Sequence, residues 1–397
     1  MNKKIAVIGQ GYVGLPLAIT AAENGYNVLG IEINEAKKNA LNNGKSSTED
    51  ISDLRVGEQI KKGNYRSTSS YMEIDSCQIV IICVPTPLTS DMKPDLSMLE
   101  EAATEVAKHL KFGSLVILES TVEPGVTRNF LAPILEKRSK LGVGSIDIAY
   151  SPERTDPSNK KWTLSNTPKI VSGLTLNSRD RAHDFYKVFV NSLQLCDSTE
   201  IAEIAKLLEN TFRLINISFI NEFAILCDKL NIDVKKVIEA ASSKPYGFMP
   251  FYPSVGIGGH CIPVDPHYLA NKAREVGAQT KFIELADTIN REMPYYFVNK
   301  AIALLNDLTD KRILIVGVAY KPNVSDVRET PVLALIKGLR LKGASVFWHD
   351  ELVKKWNDEL SMPLDDQYDL AIIATSHKYL DFTKLGKIPI LNTTDFS

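Results

Sequence analysis

Gly9-Gln10-Gly11-Tyr12-Val13-Gly14 stands directly behind the apolar run Ile5-Ala6-Val7-Ile8, and this pairing limits the fold more than any other feature. A short apolar run closed by glycine reads as a buried parallel strand, and helical periodicity follows over residues 15–23. Strand, glycine turn and helix in that order open a dinucleotide-binding unit. Gly9 permits the tight turn, Gly11 lets backbone approach a pyrophosphate, and Gly14 lets the helix lie close to the strand. Tyr12 and Val13 occupy the turn itself, and the helix N-terminus favours the phosphate charge. A second apolar run, Asn27–Ile31, ends at Glu32, close to the spacing of about 20 residues at which an acid receives ribose hydroxyls. A carboxylate there repels a 2′-phosphate and favours NAD. Lys37 and Lys38 lie near enough to leave NADP open.

Further apolar runs at 79–84, 115–118 and 146–150 alternate with helical-period segments such as 99–110. That alternation predicts a doubly wound parallel sheet. A second series starts at Arg312-Ile313-Leu314-Ile315-Val316-Gly317 and continues through a helix at Val332–Leu341 and strands at 345–349, 370–374 and 388–391. Gly317 lacks the other two glycines, so this half is expected to hold something other than a dinucleotide. Between the two series runs a helical stretch, 198–230, with Ser198 as its N-cap. Ile201, Ile204, Leu208, Phe212, Ile215 and Phe219 share one arc of it, and Glu203, Lys206, Asn210 and Arg213 the opposite arc. Such a helix links domains and offers an apolar face for a homodimer; its plainer reading is a core helix with a solvated charged face. The expectation is an α/β chain: two Rossmann-like doubly wound parallel-sheet domains joined by a long central helix. The domains would span 1–197, 198–298 and 299–397.

With 397 residues, 44% hydrophobic and 24% charged, the chain can bury two or three cores, which excludes a disordered chain or a disulfide-stapled miniprotein. A formal net charge of -2 argues against nucleic acid as a partner. No apolar run reaches the roughly 18–20 residues that cross a bilayer, so no membrane partner is expected. Met1-Asn2-Lys3-Lys4 resembles the start of a signal peptide, but the apolar run behind it stops at Gly9. Five widely spaced cysteines without a Cys-x-x-Cys pair suit a reducing compartment. A cytoplasmic location follows as an expectation.

Residues 250–269 hold Gly256, Gly258, Gly259 and four prolines, a composition that opposes helix and central strand. Such a loop is expected to approach a ligand. Cys261 follows the glycines beside His260, with Asp265 four residues on, and would serve as a nucleophile once ionised. The alternatives are a structural cysteine, which suits Cys77, Cys83, Cys196 and Cys227 in their apolar contexts, or metal binding by His260, Cys261, Asp265 and His267. Their spacing fits no standard zinc pattern, and no metal is expected.

Seven motifs together resemble the UDP-glucose/GDP-mannose dehydrogenase family. They are Gly9-x-Gly11-Tyr12-Val13-Gly14-Leu15, Val84-Pro85-Thr86-Pro87, Glu119-Ser120-Thr121-Val122-x-Pro124-Gly125 and Ser151-Pro152-Glu153-Arg154. Ala202-Glu203-x-x-Lys206-x-x-Glu209-Asn210, Gly258-Gly259-His260-Cys261-x-Pro263-x-Asp265 and Tyr320-Lys321-Pro322 with Asp326-x-Arg328-Glu329 complete the set. The resemblance implies an NAD-dependent 6-dehydrogenase that takes a UDP-sugar alcohol to a uronate, a precursor of surface polysaccharide. It implies that Cys261 holds the aldehyde as a thiohemiacetal and then a thioester. Lys206, with Asn210, would stabilise the C6 oxygen, while Asp265, Glu153 and Thr121 would manage protons and the catalytic water. Thr86, Thr121 and Arg328 would contact NAD. Lys321 would contact the UDP diphosphate, and Glu153, Arg154, Phe251, Tyr252, Ser254 and Gly258 would line the sugar nucleotide. Val264 stands where UDP-glucose dehydrogenases have lysine, and 244–253 replaces their Arg-Ile-Gly stretch. The wording His260-Cys261-Ile262-Pro263-Val264-Asp265-Pro266 resembles the branch acting on UDP-N-acetylhexosamines, UDP-N-acetylglucosamine above all.

Overall fold

The computed structural model describes residues 3–156, 159, 161–394 and 396, and the chain divides into two compact units, Met1–Leu208 and Glu209–Ser397. The first unit holds strands β1 (Lys4–Ile8), β2 (Asn27–Ile31), β3 (Tyr65–Thr68), β4 (Ile79–Ile82), β5 (Leu115–Leu118), β6 (Asp147–Tyr150), β7 (Lys169–Gly173) and β8 (Leu193–Leu195). They form one sheet in the order β3-β2-β1-β4-β5-β6-β7-β8. All neighbours are parallel except β6 and β7, so the expected all-parallel sheet is mixed at this one pairing. Its helices are α1 (Gly14–Glu23), α2 (Glu35–Asn42), α3 (Asp53–Lys61), α4 (Ser97–Ala107), α5 (Ala132–Ser139) and α6 (Leu176–Tyr186).

Strand alternation assigns the faces. Ile5, Val7, Ile79, Ile81, Leu115 and Ile117 point into one core with Leu15 and Ile19 of α1, Val56 of α3 and Phe185 of α6. Ala6, Ile8, Val80, Ile82, Val116 and Leu118 point into the other, with Leu99 and Val106 of α4 and Leu135 of α5. Burial on both faces explains why these strands read as continuous apolar runs.

Helix α7 (Thr199–Lys229) crosses the boundary between the units. The second unit continues with α8 (Val234–Ser242), α9 (Asp265–Glu275) and α10 (Lys281–Leu305), then β9 (Arg312–Val316), α11 (Val332–Leu341) and β10 (Ser345–His349). The short hairpin β11 (Lys355–Trp356) and β12 (Glu359–Leu360), then β13 (Leu370–Ile373) and β14 (Ile390–Asn392), complete it. Its main sheet is fully parallel in the order β10-β9-β13-β14. Ile313, Ile315, Val346 and Ile372 share its core with Phe297 of α10 and Leu335 and Leu339 of α11.

Two local expectations change. The reactive stretch does not stay a loop to residue 269, because α9 begins at Asp265 with Pro266 in its first turn, where a missing N–H costs nothing. The 25-residue helix α10 carries Pro294 in its interior and buries Ile283, Ala286, Asn290, Met293, Phe297 and Ala301 at helical spacing. On α7, Ser198 caps as expected, its Oγ accepting from Ile201 N at 3.3 Å. The arcs, however, reverse the plain core-helix reading. Glu203 and Lys206 are buried, while Ile201, Ile204, Leu208, Phe212 and Phe219 are exposed. Glu203 is inside because its carboxylate accepts from Gly125 N and Thr127 N at 2.6 and 2.9 Å. Among the described residues, no helix is long and apolar enough to cross a membrane.

Candidate active site

In the first unit the strand order reverses between β1 and β4, and the loops after these strands carry Gly9 and Thr86. Gly9 has φ +87°, and a Cβ on it would sit 2.8 Å from the Cys83 carbonyl oxygen. A Cβ on Gly14 would fall 1.9 Å from the Gly9 carbonyl oxygen, whereas Gly11 faces open space within 4 Å. The turn is therefore closed on its inner side and accessible at Gly11. No side chain caps α1 and its first turn holds no acid, which leaves the helix N–H groups for an anion. Glu32 is nearly buried and accepts from Asn34 N at 2.9 Å. Lys37 pairs with Glu32 at 3.2 Å, and Lys38 with Glu35 at 2.6 Å. Both lysines that left the cofactor open are thus engaged by carboxylates. Open turn, uncapped helix and buried acid fit a dinucleotide without a 2′-phosphate.

Thr86 and Thr121 come together, the Thr86 hydroxyl donating to the Thr121 carbonyl at 2.7 Å. Glu153, just past β6, accepts from Arg154 N at 2.7 Å and Thr155 N at 2.6 Å. Behind it lies a charge cluster that sequence reasoning missed. Lys169 is 3.2 Å from Glu119 and 3.9 Å from Glu153, donates to the Pro152 carbonyl at 3.2 Å, and lies over the Tyr186 ring. Tyr186 in turn donates to Glu119. Burial pushes the Glu119 carboxyl up. Burial also acts to raise Glu153, but the Lys169 charge and the two backbone donors outweigh it and hold it below the usual range. Charged Lys169 inside a strand is a signal the sequence did carry, since lysine is rarely fully buried without a partner. The Arg154 guanidinium donates to the Pro168 carbonyl at 2.7 Å. Lys206 on α7 is 8% exposed and has no ion pair among the described residues.

In the second unit Cys261 is exposed, while Cys77, Cys83 and Cys227 are buried and Cys196 is half-buried. Burial raises all four of those thiols. Two helix asparagines that the sequence did not single out fix the loop before Cys261. Asn221 accepts from Ser254 N at 2.9 Å, and Asn290 accepts from Ile257 N at 2.5 Å. Asparagine is a poor helix former, so buried Asn221 and Asn290 inside α7 and α10 were the available clue. Asn210 donates to Asp265, and Asp265 N donates to the Cys261 carbonyl at 2.8 Å. His267 faces Asp287 at 3.5 Å, so the residues of the metal alternative turn to different partners. Phe251 packs edge-to-face on Phe212 with centroids 5.9 Å apart, and Tyr252 is exposed.

The loop after β9 meets this one. A Cβ on Gly259 (φ +88°) would lie 2.9 Å from the Tyr320 ring, and Gly259 N donates to the Arg328 carbonyl at 3.1 Å. Gly258 is as confined, since a Cβ on it would lie 2.8 Å from the Glu329 carbonyl oxygen. Burial and then the Arg328 charge lower the His260 ring from its ordinary value. Arg328 is half-exposed and forks onto Asp326 at 2.6–3.0 Å. The Lys321 ammonium lies 5.9 Å from the Tyr320 ring centroid.

An NAD-fitted Rossmann unit, together with a second parallel α/β unit that presents an accessible thiol, defines a nicotinamide-dependent oxidoreductase. Residues 3–190 match the NAD binding domain of the UDP-glucose/GDP-mannose dehydrogenase family, 200–292 its central domain and 314–391 its UDP binding domain. The chain belongs to the UDP-glucose/GDP-mannose dehydrogenase family, and it is an NAD-dependent dehydrogenase. It is 34% identical over 397 residues to a UDP-N-acetyl-D-glucosamine 6-dehydrogenase of Pseudomonas aeruginosa, covering 96% of this chain and 92% of that one. It is also 34% identical over 393 residues to a UDP-N-acetyl-D-mannosamine dehydrogenase of Pyrococcus horikoshii, covering 97% and 92%. A solved UDP-D-ManNAc dehydrogenase structure from Pyrococcus horikoshii superposes with a TM-score of 0.91 at 32% identity, covering 99% of this chain and 96% of that one.

Proposed function

We propose that this dehydrogenase oxidises the C6 alcohol of a UDP-N-acetylhexosamine to the uronate in two successive oxidations, with the aldehyde held on Cys261. The carrying observation is that Cys261 is the one exposed cysteine among the described residues, on a loop fixed by Asn221 and Asn290. The 9–14 turn, Glu32, Thr86, Thr121 and Arg328 would hold NAD, which would supply the hydride acceptor for each oxidation. The Cys261 sulfur adds to the aldehyde carbon and the thiol proton passes to the aldehyde oxygen, giving a thiohemiacetal whose covalent bond prevents escape. Loss of hydride to the cofactor and of the hydroxyl proton to a carboxylate turns the thiohemiacetal into a thioester, which water cleaves to carboxylate and free thiol. Lys206, beside Asn210, supplies positive charge where the C6 oxygen becomes negative. Asp265 and Glu153, with Thr121, orient the water and move its proton. Lys321 binds the diphosphate, and Arg154, Phe251, Tyr252, Ser254 and Gly258 surround the sugar.

UDP-N-acetylglucosamine is the first reading of the substrate. UDP-N-acetylmannosamine has equal support, since relatives of both names match at 34% identity. UDP-N-acetylgalactosamine and UDP-glucose remain the alternatives to exclude. Following NADH with these four UDP-sugars decides: kcat/KM for an N-acetylated sugar should exceed that for UDP-glucose, and the reverse order rejects the reading. The division of labour proposed is 1–197 for NAD, 198–298 for the reactive loop and dimerisation, and 299–397 for UDP. The exposed apolar arc of α7 supports a homodimer. The uronate would feed surface polysaccharide synthesis from the cytoplasm.

A further inference from the structure

The two sheets carry an acid at the same station. Glu32 follows β2, the neighbour of β1, and Asp350 follows β10, the neighbour of β9. In a dinucleotide site that acid receives the ribose hydroxyls. Asp350 is turned inward instead and is fully buried. Its Oδ2 accepts from Val318 N at 2.9 Å, Ala319 N at 3.3 Å and His377 Nε2 at 3.0 Å, and its Oδ1 accepts from Leu352 N at 2.9 Å and Val353 N at 3.1 Å. No lone pair of this carboxylate is left for a ribose.

His377 extends the grip. Its Nδ1 accepts from Asn323 N at 2.9 Å, which leaves the ring proton on Nε2, facing Asp350. Asn323, in the left-handed region at φ +63°, accepts from Lys378 N through Oδ1 at 3.0 Å. Thr375 adds a hydroxyl bond to the Ala319 carbonyl at 2.7 Å. The segment after β9 is thus held at residues 318–319 by Asp350 and Thr375, and at residue 323 by His377. Lys321 stands midway between the two grips. The strand order of this sheet reverses between β9 and β13, and both the gripped loop and His377 follow those strands, where α/β sheets bind ligands.

We propose that the buried Asp350–His377 pair is a positioning clamp that sets the backbone on either side of Lys321 for a nucleoside diphosphate, in place of a ribose-binding acid. The inference rests on the proposed role of Lys321 as a diphosphate ligand. It is tested on the full-length enzyme with UDP as the probe, using Lys321→Ala and His377→Gln. Glutamine keeps an amide donor toward Asp350 and removes the ring acceptor of Asn323 N. Lys321→Ala should weaken UDP by tenfold or more. His377→Gln should raise the UDP Kd and the KM for the UDP-sugar by about three- to tenfold, the worth of one lost hydrogen bond, while kcat and the KM for NAD stay near wild type. If Lys321→Ala weakens UDP and His377→Gln binds it as wild type does, the clamp is wrong and the diphosphate role stands. If Lys321→Ala leaves UDP binding unchanged, that role fails and the clamp with it. Should His377→Gln not fold, Asp350→Asn, which puts an amide donor where one of the two acceptor oxygens stood, should weaken UDP in the same direction; wild-type affinity there overturns the clamp.

Discussion

Cys261 differs from the other four cysteines in exposure, and exposure is what a covalent role needs. Iodoacetamide at neutral pH should therefore alkylate Cys261 first, with Cys77, Cys83, Cys196 and Cys227 lagging, as peptide mass mapping would record. Equal labelling of all five would contradict it. Lys169 serves two carboxylates, Glu119 and Glu153, and removing it strands both. Lys169→Met should lose about 3–5 kcal/mol in urea unfolding, and adding Glu119→Gln should return part of it. Asp350 gives a pH signature. Burial acts to raise its carboxyl, but the His377 hydrogen bond and the backbone donors outweigh it and hold it at about 2. Its stabilisation is present above the unfolded carboxyl value of about 3.9 and fades as pH falls toward about 2, an effect of order 2 kcal/mol. Urea midpoints between pH 5 and pH 2.5 should fall more steeply in wild type than in Asp350→Asn. Parallel slopes would remove Asp350 from the account.

At the scale of elements, α7 carries the main lesson about legibility. Its position and cap were readable, because periodicity and a serine at the N-cap are local signals. Which arc faces inward was not. That depends on Gly125 N and Thr127 N, donors 78 and 76 residues from Glu203, and no wheel contains them. The reactive loop was legible up to Val264 from its glycines and prolines, but proline is neutral in a helix's first turn, so the start of α9 was hidden. The supports Asn221 and Asn290 were hidden because polar partners distant in sequence define them. The exposed arc yields its own prediction. Leu208→Glu should change monomer stability by no more than about 0.5 kcal/mol, as an exposed substitution does. In sedimentation velocity it should convert the proposed dimer to monomer, and a dimer unchanged by it would place the interface elsewhere.

At the scale of the whole molecule, the parallel sheets and the glycine turn were legible because a doubly covered strand writes itself as an apolar run, as β2, β5 and β13 do. The last strands of the first sheet, β7 and β8, were not, since β8 is largely exposed and β7 carries a charge cluster. Two residues proposed for the chemistry meet partners that only the fold supplies: Asp265 meets Asn210, and Glu153 meets Lys169. The most direct test is the yield of uronate and NADH from UDP-N-acetylglucosamine or UDP-N-acetylmannosamine by wild type and Cys261→Ser. Wild type should form two NADH for each uronate, and Cys261→Ser should form no uronate while still folding and binding UDP. Uronate made by Cys261→Ser at the wild-type rate would show that no sulfur holds the aldehyde.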